Sequence, residues 1–178
     1  AQDIEIDANF QWTKPHLLTL DAFRTITFKV PVAVEGKGSV ALVTNDGTYG
    51  GDFFFVNKGK FAFWDLRRYL TINGQSYTLV NSVAMIAAAV GGNPGGKFAL
   101  TRGYDASIDG PYRAFAVITP LSGRFEGLGH SIDNLTLLHT GGLSDNIGMF
   151  AGIAPFGAVR DFTLTNVQIP SDKESAWV

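Results

Sequence analysis

Gly123 to Ile169 reads GRFEGLGHSIDNLTLLHTGGLSDNIGMFAGIAPFGAVRDFTLTNVQI and contains two similar halves. When Ser131–Leu137 is laid over Ala158–Leu164, Ile132, Leu135 and Leu137 fall on Val159, Phe162 and Leu164. Such likeness predicts one structural unit used twice. Short alternating strands separated by glycines, with a period of roughly 20 to 50 residues, are the signature of a solenoid, not of a globule closed around one core. The apolar positions then point into a column shared with the turns above and below.

Working outward, residues 3 to 80 alternate with period two, which predicts half-buried strands at Ile4/Ile6, Leu18/Leu20, Ile26/Phe28, Val30/Val32/Val34, Val40/Leu42, Phe53/Phe55, Phe61/Phe63, Leu70/Ile72 and Tyr77/Leu79. Ile4/Ile6 maps onto Ile26/Phe28 and Leu18/Leu20 onto Val40/Leu42 at a spacing of 22, and Val40/Leu42 onto Phe61/Phe63 at 21. A turn of that size suits one rung of a right-handed parallel β-helix, with successive strands stacked about 4.8 Å apart. Glu35–Gly38, Asn45–Gly47, Gly50–Gly51 and Asn57–Gly59 supply turn residues between the apolar pairs. Asn73, Asn81 and Asn134 are candidates for stacked side-chain ladders.

At Asn81 the pattern changes. Ser82 is placed to cap a helix, and Val83, Ile86, Ala87 and Val90 recur at helical spacing until Gly91-Gly92, predicting one short helix over 82–90. Gly91 to Gly96 then reads as a flexible loop and mobile tip. The expected organisation is all-β and continuous: rungs over 1–80, helix and glycine-rich loop over 81–97, further solenoid over 98–169, and a polar tail over 170–178 whose Trp177 packs on the last rung. The absence of a basic, apolar leader predicts a removed signal peptide or an internal fragment.

Composition narrows the function. Of 178 residues, 46% are hydrophobic, which excludes a disordered tail, while 14 phenylalanines and 21 glycines favour strands with tight corners. A net charge of −2 gives no basic face for a phosphate backbone, so no nucleic-acid partner is expected. There is no cysteine, hence no disulfide frame or thiolate metal site. No apolar run reaches the ~18 residues of a membrane span. Phosphate-loop and dinucleotide fingerprints are missing, and no cofactor is expected.

Gly123-x-Phe125-x-Gly127-x-Gly129-His130-x-Ile132-x-Asn134-Leu135-x-Leu137, with Ile147-Gly148-Met149-Phe150 and Gly157-x-Val159-x-Asp161-Phe162-x-Leu164, resembles the glycine-rich GLUG repeat of large bacterial surface proteins. Leu70 to Ser82 resembles the junction segment of filamentous-haemagglutinin-like adhesins, in which a right-handed β-helix passes through a short helix into such repeats. The two likenesses cover residues 70 to 169. They imply a secreted or bacterial cell-surface setting and a non-catalytic adhesive role toward a host or matrix glycan or protein.

Three groups of side chains are candidates for chemistry. Trp64, Arg67, Arg68 and Tyr69 form the only basic-aromatic cluster, suited to stacking on a sugar or meeting an anionic glycan. Asp105 and Asp109, with Ser107 between them, are a candidate calcium loop without its closing acid. The same aspartates, paired with Arg102 or Arg113, are what a carbohydrate-active β-helix lyase or hydrolase would need. His130 is expected at a turn after Gly129, bonding neighbouring backbone; His16 and His139 are widely separated from it and from each other. A further alternative is an accessory segment of a large surface protease, its peptidase chemistry lying elsewhere.

Overall fold

Period-two alternation puts every second side chain on one face, and the backbone takes up the pattern as short strands. The computed structural model describes residues 2–48, 50–139 and 146–170. The first nine strands are β1 (Asp3–Ile6), β2 (Phe10–Trp12), β3 (Leu17–Asp21), β4 (Thr25–Phe28), β5 (Pro31–Val34), β6 (Ser39–Val43), β7 (Phe53–Phe55), β8 (Lys60–Phe63) and β9 (Leu70–Ile72). They associate in parallel by threes, as β1-β4-β7, β2-β5-β8 and β3-β6-β9. Ile4 lies opposite Ile26, Phe10 opposite Val32 and Leu18 opposite Val40, so the expected spacing holds for the first repeat.

The second repeat departs from it. Val40 pairs with Leu70, not with Phe61, and Phe61 and Phe63 sit opposite Val32 and Val34. The spacing grows, and by a different amount in each sheet, as the pairs Ile26 with Phe53, Val32 with Phe61 and Val40 with Leu70 show. Residues 44–48, 50–52, 56–59 and 64–69 lie outside the strands, and these connections take up the extra length. The alternation holds in each pair; the uniform period does not, because loops lengthen without disturbing the parallel ladder.

Asn73 (φ 49°) and Gly74 (φ 73°) then reverse the chain. β10 (Gln75–Val80) is antiparallel to β9, with Gln75 opposite Ile72. Next come α1 (Val83–Gly92), β11 (Lys97–Leu100), β12 (Tyr104–Asp105), a single 3-10 turn (Ala106–Ile108), β13 (Tyr112–Arg113), β14 (Phe115–Val117), β15 (Arg124–Asp133), β16 (Leu137–Leu138), β17 (Gly148–Phe150) and β18 (Ala158–Thr165). These later strands pair in parallel again: β10 with β11, β11 and β12 with β15, β15 with β18, β13 with β16, and β14 with β17. The architecture is all-β with one α-helix.

α1 is capped as expected: the Ser82 Oγ accepts from the Met85 N–H at 3.2 Å. It does not stop at Gly91-Gly92, however, but continues through both to Asn93. The following residues are bonded to the start of β15 and the residues just before it, since the Pro94 carbonyl accepts from Ser122 and Gly123 and the Gly96 carbonyl from Arg124. The expected loop is thus a hydrogen-bonded turn.

The glycine-rich region is also paired differently from its sequence likeness. Phe125 lies opposite Val159 and Ile132 opposite Leu164, so Val159 does not stack on Ile132 and the best sequence superposition is not the structural register. Between the two blocks, Gly127-Leu128-Gly129 on β15 face the single residue Asp161 on β18, which is a bulge. Leu128 (φ 51°), Gly129 (φ 77°) and Asp161 (φ 49°) take the left-handed conformations that let the chain step out and back.

Two apolar cores result. The first holds Ile26, Phe28, Val32, Val34, Phe53, Phe61 and Phe63, with Phe28 edge-on to Phe61 at 5.6 Å. The second holds Val83, Ile86, Val90, Phe98, Phe125, Ile132, Leu135 and Leu137. The strands β10, β11 and β15 serve both: Tyr77, Leu79, Ala99 and Leu128 belong to the first core, and Val80, Phe98, Leu100 and Phe125 to the second. Among the repeat residues, Phe150, Val159 and Phe162 are half-buried against the second core, and Leu164 is 37% exposed on β18. The predicted packing of Trp177 falls outside the described residues. No helix among the described residues is long and apolar enough to cross a membrane.

Candidate binding surface

Between β8 and β9 the chain bends away from the sheets at Trp64 and returns after Tyr69. One carboxylate organises that bend. Asp65 Oδ1 accepts from the Arg67 N–H and from Arg67 Nε, each at 3.0 Å, while Arg68 Nε lies 3.1 Å from Asp65 Oδ2. Hydrogen bonding from Arg67, helped by the charge of both arginines, holds the Asp65 carboxyl down at about 2. Arg68 also reaches the Lys37 carbonyl at 3.3 Å. Leu66 packs on the first core and anchors the bend.

The bend leaves its aromatic ends in solvent: Trp64 is 60% exposed and Tyr69 is 74% exposed. Arg102, just beyond β11, sets its guanidinium 5.5 Å from the Trp64 ring centroid, a cation–π contact. The four predicted residues are thus brought together on one bend. Sequence reading missed Asp65 and set Arg102 beside the aspartates instead of beside Trp64. Asp65 was readable as an acid just ahead of two arginines; Arg102 lies far along the chain from Trp64 and left no local trace.

The predicted aspartates are occupied elsewhere. Asp105 Oδ1 accepts from the Ser107 N–H at 3.0 Å and from Asn134 Nδ2 at 2.9 Å. Asp109 takes the Tyr104 hydroxyl on one oxygen at 2.6 Å and the Tyr112 hydroxyl on the other at 2.7 Å. Burial, with the bond to Asp109, pushes the Tyr104 phenol up to about 12. Arg102 forms no ion pair with either aspartate among the described residues. Nor do three or more His, Cys, Asp or Glu groups converge as for a metal ion among those residues. Two of the three candidate ladder asparagines bond to other residue types: Asn73 accepts from the Thr44 N–H at 2.8 Å, and Asn134 serves Asp105.

A second titratable cluster, unforeseen from sequence, lies where β15 and β18 meet the first core. Glu126 is 1% exposed and neither of its carboxylate oxygens has a hydrogen-bond partner. Burial pushes its carboxyl up to about 7, against the pull of Arg160. Arg160 is itself clasped to Asp52 at 2.7 Å and lies 5.2 Å from the Phe53 ring centroid. His130 is buried within β15, not at a turn, and its Nε2 meets the carbonyl of the distant Phe61 at 3.0 Å. Burial drives that imidazole down to about 4.

Compared with known proteins, the chain matches no family model, no curated protein and no solved structure.

Proposed function

We propose that the chain is a structural and adhesive segment of a secreted or surface-exposed bacterial protein, wound as a right-handed parallel β-helix and binding glycans without turning them over. The winding is supported by the repeated parallel registers and by alternating side chains that fill a shared interior. The observation that carries the binding role is the pair of exposed rings, Trp64 and Tyr69, on a bend stiffened by Asp65 and flanked by Arg67 and Arg102. Large exposed aromatics beside guanidinium planes offer flat apolar faces to pyranose rings and donors to their oxygens. Each contact is weak; repetition along a longer surface would make it effective.

The test is a panel of host-type glycans, acidic polysaccharides and matrix proteins scored both for binding and for release of new sugar ends. The expected result is binding without turnover, weakened at least ~10-fold by Trp64→Ala, equivalent to about 1.4 kcal/mol. Turnover, or binding indifferent to both Trp64→Ala and Tyr69→Ala, would overthrow the reading.

A further inference from the structure

We propose that the depression beside the β9–β10 turn is a binding site for a single oxyanion, a carboxylate or sulfate group. It encloses about 250 Å³ and is lined by Ile72, Asn73, Gln75, Tyr77, Lys97 and Arg124. That volume falls below the ~300 Å³ at which pockets begin to hold drug-sized molecules, so it suits one charged group and not a whole chain.

Charge decides the class of ligand. Lys97 opens β11 and Arg124 opens β15, and the two are direct register partners on adjacent parallel strands. Neighbouring strands lie about 4.8 Å apart, and like charges set opposite each other repel. Neither cation forms an ion pair among the described residues. Glu126, next but one after Arg124, feels the Arg124 charge through space, but it is buried and neither of its oxygens accepts a hydrogen bond from either cation. A planar guanidinium, an ammonium and the Tyr77 hydroxyl therefore share one small cavity that lacks a bonded counter-charge. Guanidinium matches the paired oxygens of a carboxylate or sulfate, and charge-assisted bonds of this type are about twice as strong as neutral ones.

The larger groove on the β1-β4-β7 sheet makes the contrast. Its lining carboxylates Asp3, Glu5 and Asp52 are already paired with Arg24, Lys29 and Arg160, so it presents no unpaired cation to an oxyanion. The oxyanion site is independent of the adhesive reading: Tyr69 precedes β9 and Arg102 follows β11, whereas the cavity lies where β9 ends and β11 begins.

The experiment is titration with sodium acetate and sodium sulfate at constant ionic strength, with sodium chloride as the control, following the Lys97, Tyr77 and Arg124 resonances by NMR. Saturable shifts with either oxyanion but not with chloride are expected, and the tighter probe tells which group is the natural one. Lys97→Gln should weaken binding at least ~10-fold with Tm unchanged, Lys97→Arg should restore it, and Trp64→Ala should leave it unaltered. Absence of saturation, an equal response to chloride, or a Lys97→Gln protein that binds as well as the wild type would overturn the assignment.

Discussion

Glu126 and His130 lie one after the other on the same strand and impose opposite pH dependences. The Glu126 carboxyl, normally near 4.5, titrates at about 7 in the folded chain because burial disfavours its charge. The folded state thus keeps a proton that the unfolded state releases, and stability falls as pH rises from 4.5 to 7. His130, normally near 6.5, is held down at about 4 by burial. Here the unfolded state takes up the extra proton, so stability falls as pH drops from 6.5 to 4. Across their common range the two slopes oppose each other. Glu126→Gln removes the first. It should leave stability unchanged near pH 4 and raise it by about 3 kcal/mol near pH 8, the linkage value of so large a displacement. Urea denaturation at the two pH values checks this, and an equal change at both would refute it. Gly129 shows what a sequence does and does not reveal at this scale. The glycine-rich run at 127–129 was visibly a place for unusual backbone, but its neighbour was not visible. At φ +77° an added Cβ would come 2.5 Å from the carbonyl oxygen of Gly59, which lies far back in the chain. Gly129→Ala should therefore destabilise by more than the ~1 kcal/mol of ordinary glycine effects, measured as a fall in Tm.

The elements were legible where local physics decides them and illegible where distant pairing does. Each apolar pair named between Ile4 and Leu79 lies in or at the edge of a strand, because alternation is a property of the local chain. The helix start was legible for the same reason, from a serine ahead of a periodic apolar run. Ser82→Ala should cost about 1 kcal/mol by leaving the Met85 N–H without its partner, and chemical denaturation reads it directly. The reversal at Asn73-Gly74 was legible in principle, since that dipeptide is the strongest short hairpin signal, but the surrounding alternation hid it. Register was the real limit. A parallel ladder accepts loops of any length between its strands, so the step from Ile4 to Ile26 could lengthen to that from Val40 to Leu70 with no mark in the alternation. Similarly, the β15–β18 pairing departs from the best sequence superposition both before and after the bulge at Leu128, because the pairing is set by the fold and not by local likeness. Of the candidate site, the bend from Trp64 to Tyr69 was readable because it is contiguous; Arg102 was not, because only folding brings it there.

At the scale of the whole molecule, the shared strands β10, β11 and β15 couple the two cores. Leu128 makes the point, being fully buried in the first core although its strand neighbours Phe125 and Ile132 belong to the second. Arg160 on β18 closes onto Asp52 just before β7, and His130 on β15 onto the carbonyl of β8 residue Phe61. Neither core can lose this wall without exposing a face of the other, so the molecule should unfold in one cooperative step. Leu128→Ala tests the coupling, because it removes buried volume on the first-core side only. A cost of about 2 to 5 kcal/mol is expected from the lost contacts and the cavity left behind. If the wall is common, native-state hydrogen exchange should accelerate by the same factor in β4 and β5, which lie in the first core, and in β14 and β17, which lie in the second. Acceleration confined to the first set would mean that the two cores open separately, and that the antiparallel turn at Asn73-Gly74 divides the chain into independent units.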